Sequence, residues 1–482
     1  MLILAGVTIA AISGDNGILQ NAARAKEETE AVTLEEKIKL LMAEGIINEY
    51  TGENEEKTAQ ELQDELNEQG ENVLVVQWDK YIIFDLNKNK EYRVMSDGTT
   101  EYWGESIMGQ TLLNTKTANA DQLSQNPSSS NLIGIDNDGN TVNMLLWEKT
   151  LIDDSSLGKV GTYGLNDKNG LDASGASGRS AGYIGSYTED GKIIGTVPTY
   201  ISEDGGNTYI SVTSMIHTFY DCDELLTAPQ IAYTTTNMSL AFFQATNLTT
   251  VPSKIPDSVV NFSYAFANCE KLNSLPTLGN NINNMNNSFR ATAITEFNLA
   301  IPDSVMDMSY AFNGCENLTE FSTNIPENVT TLKGTFSNCT NLTTVPKVIP
   351  DSVIDMESTF YNCSSLINGP SILSNKVENM RATFYGCISL KTGPDVIPSS
   401  VINMFETFFK CSNLTGKIQI NANLNGKIVH QYNGSVYRDY TRCFSEASTI
   451  GSGLIISKNS ACLELENLLN TKSSTSNIII EK

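Results

Sequence analysis

The stretch IPDSVMDMSYAFNGCENLTEF, residues 301–321, decides the fold because close copies of it recur along the chain. IPDSVIDMESTFYNCSSL (349–366) and IPSSVINMFETFFKCSNL (397–414) keep the same residue types at the same positions. The copies align on one phenylalanine each, and successive phenylalanines are 23 or 24 residues apart. A fixed period of this length is typical of proteins built from stacked repeat units. The nine aligned residues are Phe219, Phe242, Phe266, Phe289, Phe312, Phe336, Phe360, Phe384 and Phe408.

Other positions of the repeat unit are also constant in character. A β-branched residue lies seven positions before the phenylalanine, an apolar residue (usually methionine) lies four before it, and leucine usually lies six after it. Apolar residues at −7, −4, 0 and +3 follow helical spacing, so a short helix is predicted around each phenylalanine, and the Leu-x-x-Val-Pro run predicts a short strand. One unit cannot bury its apolar face alone, so the units are expected to stack as an α/β solenoid of 23–24-residue coils.

Two units depart from this pattern. Ala245 and Thr292 stand where the other seven units have a cysteine. In the unit of Phe289 the leucine position is assigned to Thr295. These departures are expected to loosen local packing without breaking the register.

The repeated cysteine is expected to be a buried, unpaired thiol. Equivalent positions in stacked units lie about 4.8 Å apart with parallel Cβ vectors, whereas a disulfide needs Cβ atoms about 3.8 Å apart. Alanine and threonine at the same position indicate a site for a small buried residue. No C-x-x-C pair occurs, so no zinc site is predicted. The series comprises Cys222, Cys269, Cys315, Cys339, Cys363, Cys387 and Cys411.

Composition excludes several classes of function. The 482 residues include 31 Lys+Arg and 56 Asp+Glu, a formal net charge of −25. This acidity argues against a nucleic-acid partner, because phosphate binding needs clustered basic side chains. Two histidines in the whole chain argue against a multi-histidine metal site and against a Ser-His or Cys-His enzyme. No cofactor is predicted.

The N-terminal segment is apolar but short. Met1–Ile12 carries no charge and would span only about 18 Å as a helix, less than the ~30 Å core of a bilayer. Thr33 and Glu36 then fit a capping box at the start of a helix. A short buried or interfacial helix remains an alternative to a membrane segment.

The run LILAGVTIAAISGDNGILQNAARAKEET (2–29) resembles the N-terminal signature of type IV pilin-like surface proteins of Gram-positive bacteria. The cleavage site and the first half of that family's apolar helix are missing, so Met1 is expected to be an internal or wrongly assigned start. The resemblance implies a single membrane anchor with everything downstream outside the cell.

Turn signals and composition divide the chain into six segments. We predict an apolar or anchor helix over 1–50, a small α+β module over 51–105 and a linker over 106–130. A β-rich module over 131–210 is expected to cap the solenoid of 211–420, and 421–482 is expected to be a C-terminal cap. Within 51–105 the pattern predicts a helix at 57–69 and strands at 73–78, 80–86, 91–95 and after Asp97-Gly98.

Two motifs have the wrong surroundings for the chemistry they suggest. Gly178–Gly182 matches G-x-S-x-G around Ser180, but a nucleophile elbow needs a strand before it and a helix after it, and neither is predicted. Asp136–Asn140 is similar to a calcium-binding loop, but Thr141 and Trp147 occupy the positions of the glycine and glutamate that such a loop needs. A hydrolase is therefore a remote alternative, and a β-turn is predicted at Asp136.

The units at 301–321, 349–366 and 397–414 resemble the BspA-like leucine-rich repeat of bacterial surface proteins. The resemblance covers about 211–420. It implies a curved right-handed solenoid, exposed on the cell surface and used for binding or adhesion without catalysis.

The leading hypothesis is thus a non-enzymatic, N-terminally anchored bacterial surface protein whose solenoid binds a protein or a glycan. The alternative is a structural subunit or spacer of a pilin-like surface assembly. Candidate contacts lie two residues after the repeat leucine, on the outward side of the predicted strand, where short polar side chains suit hydrogen bonding. They are Thr250, Ser274, Glu320, Thr344, Asn368 and Thr392.

Overall fold

The computed structural model of the chain describes residues 3–4, 7–8, 33–51, 57–78, 80–113, 133–142, 147–154, 158–165, 198–202, 209–223, 225–422, 424, 428–432, 435–450, 453–458 and 477–481. The chain forms two compact bodies. The N-terminal body comprises residues 1–144 and 197–213, and the C-terminal body comprises 145–196 and 214–482.

The secondary-structure elements are mostly short strands. In chain order they are β1 (Ile3–Leu4), β2 (Val7–Thr8), α1 (Leu34–Thr51), α2 (Ala59–Glu68), β3 (Val73–Gln77), β4 (Tyr81–Asp85), β5 (Lys90–Val94), β6 (Thr100–Glu105), β7 (Ile133–Ile135), β8 (Thr141–Val142), β9 (Trp147–Asp154), β10 (Gly158–Leu165), β11 (Tyr200–Ser202), β12 (Ile210–Ser211), β13 (Glu296–Phe297), β14 (Glu320–Phe321), β15 (Val396–Ile397), β16 (Gly416–Ile420), β17 (Ile428–Tyr432), β18 (Ser435–Arg438), β19 (Leu454–Lys458) and β20 (Ile478–Glu481).

Capping boxes start both α1 and α2. The Thr33 amide donates to Glu36 Oε2 at 2.9 Å, and the Glu36 amide donates to Thr33 Oγ1 at 3.3 Å. Thr58 and Glu61 make the same reciprocal pair at the start of α2. These contacts satisfy amides that have no partner within the helix. α1 and α2 lie where the sequence predicts them, whereas residues 108–113, which the sequence assigned to a linker, are helical.

The apolar N-terminal segment differs from the predicted helix where it is described. β1 and β2 pair antiparallel through Ile3–Thr8 and Leu4–Val7, so these residues are extended. The rest of residues 1–32, and with it most of the pilin-like signature, lies outside the described residues. Among the described helices, none is both long enough and apolar enough to cross a bilayer.

The N-terminal body contains one eight-stranded sheet in the order β6-β5-β4-β3-β12-β11-β7-β8. Its strands β3–β6 match the predicted strands within one or two residues. β12 joins β3 in parallel through Ile210 and Gln77, so the segments predicted as separate modules, 51–105 and 131–210, share this sheet. The helices α1 and α2 bury Leu34, Ile38, Leu62 and Leu66 in a core cluster with the β3, β4 and β5 side chains.

Two local features of this sheet bear on its chemistry. The turn between β7 and β8 is the predicted β-turn, because the Asp136 carboxylate accepts the amides of Asp138 and Asn140 at 3.0 and 2.7 Å.

Arg93 is fully buried with its guanidinium over the rings of Trp78 and Trp103, 4.8 and 3.9 Å from their centroids. Its Nε donates to Glu91 Oε1 at 2.9 Å.

The repeat phenylalanines of the C-terminal body stand in single file. Successive ring centroids are 4.9–6.0 Å apart and the ring planes lie within 13° of parallel. Each of the nine side chains is at most 1 % exposed. The repeat units therefore stack in register, each covering the apolar side of the next.

The short helix predicted around each phenylalanine is wrong, because no helix occurs in the described residues between 214 and 422. Alternate amides donate to different partners: Tyr264 and Phe266 donate to carbonyls of the next unit at 2.8 and 2.9 Å, whereas Ala265 donates back to Phe262. The residues two before and two after the phenylalanine, here Tyr264 and Asn268, have positive φ. In an α-helix the amides beyond the first turn bond carbonyls four residues earlier in the same helix, and these amides do not, so the apolar spacing is satisfied by turns instead.

Extended contacts between units are limited to one or two residues per strand. Parallel bridges recur five residues before the phenylalanine, as in Asn237–Asn261, and about eight and twelve after it, as in Asn368–Thr392 and Val348–Ile372. The predicted strand beyond the leucine is thus present as single bridges and as the two-residue strands β13 and β14. The result is a repeat fold with small sheets and few helices.

In the unit of Phe289, the residue at the leucine position is not the one assigned from the sequence. Ile294, 1 % exposed, occupies the leucine site of the Phe289 unit, and Thr295 is exposed. The pairing of Glu296 with Glu320 and of Phe297 with Phe321 fixes this register. The assignment of Thr295 to the leucine position is therefore wrong, because this unit is one residue shorter between its phenylalanine and its aliphatic residue.

The pairing continues beyond the ninth unit. β15, β16, β19 and β20 form a parallel sheet in that order. The amides of Met404, Glu406 and Phe408 donate to the carbonyls of Asp439, Thr441 and Cys443 at 2.6–3.0 Å. Residues 439–445 thus add another layer within the segment assigned to a C-terminal cap.

Candidate binding face

The six candidate residues lie in one row along the stack, here called the polar row. Parallel bridges place Thr250 beside Thr227, Thr344 beside Glu320, and Thr392 beside Asn368. Five of the six are exposed, and Ser274 is half-buried, its hydroxyl donating to the Thr249 carbonyl at 2.9 Å. Ser274 therefore helps to hold the stack together and offers little to a ligand.

A neighbouring row uses up its hydroxyl groups inside the protein. Thr319, Thr343 and Thr415 lie one residue after the leucine, and each donates its hydroxyl to a carbonyl of the preceding unit at 2.9–3.2 Å. The hydroxyl protons of these side chains are thus donated within the stack, although Thr319 and Thr343 are exposed. The polar row beside them is left to present its groups outward.

Within the polar row, one pair is arranged by an internal hydrogen bond. The Thr392 hydroxyl donates to Asn368 Oδ1 at 2.8 Å. This contact uses the carbonyl side of the Asn368 amide and leaves its NH₂ directed away from Thr392. Such a fixed pair offers a donor at a defined position on a rigid backbone.

Two members of the polar row escaped the sequence analysis. Thr227 pairs with Thr250, and Glu296 pairs with Glu320. Glu296 was missed because its unit is one residue short. The matching phenylalanines Phe297 and Phe321 were the available signal, since both are fully buried one residue after the row. The row is consequently more acidic in its middle than predicted, with two carboxylates side by side.

The repeat cysteines form a buried column along the stack. Six of the thiols donate to the carbonyl of the phenylalanine in the preceding unit at 3.0–3.1 Å, namely those of Cys269, Cys315, Cys339, Cys363, Cys387 and Cys411. All described cysteines are unpaired and buried. The thiol is thus a hydrogen-bond donor that joins successive units, and not only a small apolar group.

Burial also makes these thiols resistant to ionisation. It raises the pKa of the Cys315 thiol to about 11, although Thr292, 3.3 Å away, opposes the shift. Burial raises the pKa of Cys339, Cys363 and Cys411 well above the ordinary value. Since the thiolate is the reactive form, these groups are suited to structure and not to nucleophilic chemistry.

The structure bears in different ways on the other residues considered from the sequence. Ser180 and its flanking glycines lie outside the described residues. His217 has φ +56° and lies against Tyr220, with ring centroids 5.2 Å apart. In the part of the chain that the structure describes, no group of three or more His, Cys, Asp or Glu side chains is placed to hold a metal ion.

The stacked units define a repeat protein, and comparison with known families identifies the repeat. Residues 209–319 and 308–433 match, in six copies, the family model described as the BspA type leucine rich repeat region. This match supports a BspA-like leucine-rich-repeat protein. No curated protein matches the chain.

The solved structures that are similar to the chain include the following two. One is a leucine-rich repeat protein from Bacteroides ovatus, with 17% identity and a TM-score of 0.31, over 70% of this chain and 98% of that chain. The other is the pneumococcal vaccine antigen PcpA, with 14% identity and a TM-score of 0.26, over 73% of this chain and 98% of that chain.

Proposed function

We propose that this chain is a non-enzymatic bacterial cell-surface protein whose repeats form a solenoid that binds a protein or glycan ligand through the polar row. The family match over 209–433 supports a surface repeat protein. The observation that carries the binding role is the polar row itself, because exposed Thr250, Glu320 and Thr344 stand at fixed spacing on a hydrogen-bonded backbone.

The energetic reason is preorganisation. Ala228, Phe321 and Gly369, each next to the row, donate their amides to row carbonyls of the next unit at 2.9–3.1 Å. A ligand that bonds to the short side chains therefore orders little additional structure, which limits the entropy cost of binding. Hydroxyls, carboxylates and amides suit the hydroxyl-rich surface of a glycan or the polar groups of a protein.

The test replaces Thr227, Thr250 and Glu320 with arginine together and measures binding to immobilised extracellular-matrix proteins and to a glycan panel. The control places arginine at three exposed positions of a different row, Asn283, Thr330 and Ile402. We expect the first variant to lose binding and the control to keep it. Equal binding by the two variants would remove the polar row as the ligand site.

Attachment of the protein to its cell through the N-terminal segment stays part of the proposal. Fractionation of intact cells checks it: the protein should stay with the membrane fraction and be accessible to added protease. Recovery in the cytoplasm would contradict the surface location.

A further inference from the structure

Three consecutive repeat units, those of Phe336, Phe360 and Phe384, carry residues that are related about the middle unit at three positions. At each of three positions, the outer two units hold identical residues or residues of opposite charge, and the middle unit differs. The rows are Thr344, Asn368 and Thr392; Lys347, Ser371 and Asp395; and Val348, Ile372 and Val396. These nine residues are called the symmetric patch.

Backbone pairing keeps the three rows of the symmetric patch in register. Val348 bridges to Ile372, and Asn368 bridges to Thr392. The Ser371 amide donates to the Lys347 carbonyl, and the Asp395 amide donates to the Ser371 carbonyl, both at 2.9 Å. The units are spaced by 5.6 and 5.4 Å, measured between their phenylalanine ring centroids. Equivalent side chains are therefore equally spaced on either side of the middle unit.

One row of the symmetric patch consists of exposed aliphatic side chains. Val348, Ile372 and Val396 are 51 %, 55 % and 38 % exposed and lie in three successive units. Lys347 and Asp395 flank them, are exposed, and form no ion pair with any other residue that the structure describes. Contiguous exposed aliphatic side chains with charges at their ends are typical of an interaction surface.

We propose that the partner of this surface is a second copy of the same chain, packed antiparallel on the symmetric patch. The two-fold axis would lie in the interface, along the strand of the middle unit. Each row then faces the same row of the other copy with its direction reversed. Ile372 meets its own equivalent, Val348 meets Val396, and Lys347 meets Asp395.

Self-complementarity of this kind is what a two-fold interface requires, since the same surface must serve both partners. Opposite charges at the two ends of one row are attracted only in the antiparallel arrangement; a parallel arrangement places Lys347 on Lys347. The pattern therefore selects both the partner and its direction.

The contact is expected to be weak. The patch spans about 11 Å along the stack and only five residues across it, with a backbone bend at Lys347, Ser371 and Asp395. It is therefore well below the ~800 Å² per partner of a stable interface. Association would then matter where the chain is concentrated, as on a surface. Three members of the polar row lie in the patch, so the second copy would compete there with a ligand; self-association itself does not depend on that ligand.

The experiment measures self-association of the full chain by sedimentation equilibrium over a concentration series reaching the millimolar range. The wild type should show a reversible monomer–dimer equilibrium. Lys347→Asp and Asp395→Lys should each weaken the dimer by about tenfold or more, because each places like charges together. The double variant Lys347→Asp/Asp395→Lys should recover the wild-type dissociation constant.

Lys376→Asp is the control, with the same charge change at an exposed residue outside the patch. Thermal unfolding by circular dichroism checks that every variant is folded. A wild type that stays monomeric, a double variant as weak as the single ones, or equal weakening by Lys376→Asp would each overturn the proposal. The polar-row test changes residues outside the patch, so failure of one proposal is distinguishable from failure of the other.

Discussion

Phe444 stacks on Phe408 with ring centroids 5.4 Å apart and planes 7° from parallel, although 36 residues (444 − 408) separate them in sequence. Every other pair of neighbouring phenylalanines in the stacked row is separated by 23 or 24 residues. Arg442 adds to the contact: its guanidinium lies 4.1 Å from the Phe409 ring centroid and bonds Glu406 at 2.7 Å. Residues 439–448 are thus a tenth repeat unit, displaced by twelve extra residues (36 − 24) that include the hairpin β17–β18.

Phe444→Ala should therefore destabilise the repeat stack as a core substitution does. The side chain is fully buried, so we expect a loss of about 3–5 kcal/mol in the free energy of unfolding. Urea unfolding measures the loss, and hydrogen exchange at the Phe408 amide, which donates to Cys443, reports where it occurs. Ser445→Ala is the neighbouring control. A loss below about 1 kcal/mol would show that Phe444 is not part of the core.

The buried thiols should be silent towards alkylating agents in the native protein. Eight cysteines are buried and unpaired, and only Cys462 lies outside the described residues. Mass spectrometry after maleimide treatment should find at most that one thiol labelled natively and all nine labelled in urea. Rapid native labelling of Cys339 or Cys363 would contradict the stacked arrangement.

Stability should fall in alkaline solution. Burial raises the pKa of Cys315 from 9.0 to about 11, so the native thiol keeps its proton where the unfolded one loses it. The thiol contribution is fully present below pH 9 and is lost as the pH rises towards 11, by roughly 1.4 kcal/mol per pH unit for each thiol. Melting temperatures between pH 8 and 11 measure the slope. Cys315→Thr should reduce it, and an unchanged slope would count against the thiols as its source.

Glycine should be tolerated at Ala382, unlike at an ordinary alanine of the repeat. Ala382 has φ +51°, a conformation that costs an L-residue about 1–2 kcal/mol and costs glycine nothing. Ala382→Gly should leave the free energy of unfolding within ~0.5 kcal/mol of wild type, because relief of strain offsets the added freedom of the unfolded chain. The fully buried Ala311 is the matched control, and Ala311→Gly should cost at least about 1 kcal/mol. Equal losses would refute the strain at position 382.

The buried ion pair of the N-terminal sheet should show strong coupling. Arg93→Met leaves the Glu91 carboxylate buried without its partner, and burial already raises the pKa of Glu91 against the opposing charge of Arg93. We expect a loss of about 3–5 kcal/mol, and recovery of a large part of it in Glu91→Gln/Arg93→Met. Urea unfolding of the four proteins completes the cycle. Additive losses would mean that the two side chains do not act as a pair.

The repeat register was predictable because each position is occupied nine times, so single departures do not hide it. Phe312, Met308 and Val305 are all fully buried, at the spacing that the sequence shows. Capping boxes at Thr33 and Thr58 were equally visible, since their partners lie three residues away. Strong local signals of this kind need no tertiary information.

The remaining features depend on contacts between units. Periodicity alone cannot separate a helix from a chain of turns with positive φ at residues such as Tyr264 and Asn268, because both repeat apolar residues every three or four positions. Turns form instead of a helix because alternate amides donate to carbonyls of the next unit. Phe444 was missed because a twelve-residue insertion breaks the period on which the alignment rests. In the polar row, Glu296 was missed through a one-residue deletion.

The alternating hydrogen bonds of the repeat also limit how such a chain can change in length. Half of the amides around each phenylalanine donate to carbonyls of the next layer. Removing part of a layer therefore leaves amides of the preceding layer without acceptors. Whole layers can be gained or lost, and a corner can accept a detour such as the one before Asp439. The length of the stack therefore changes in steps of one layer. It is set by the number of repeat units and not by the length of any single unit.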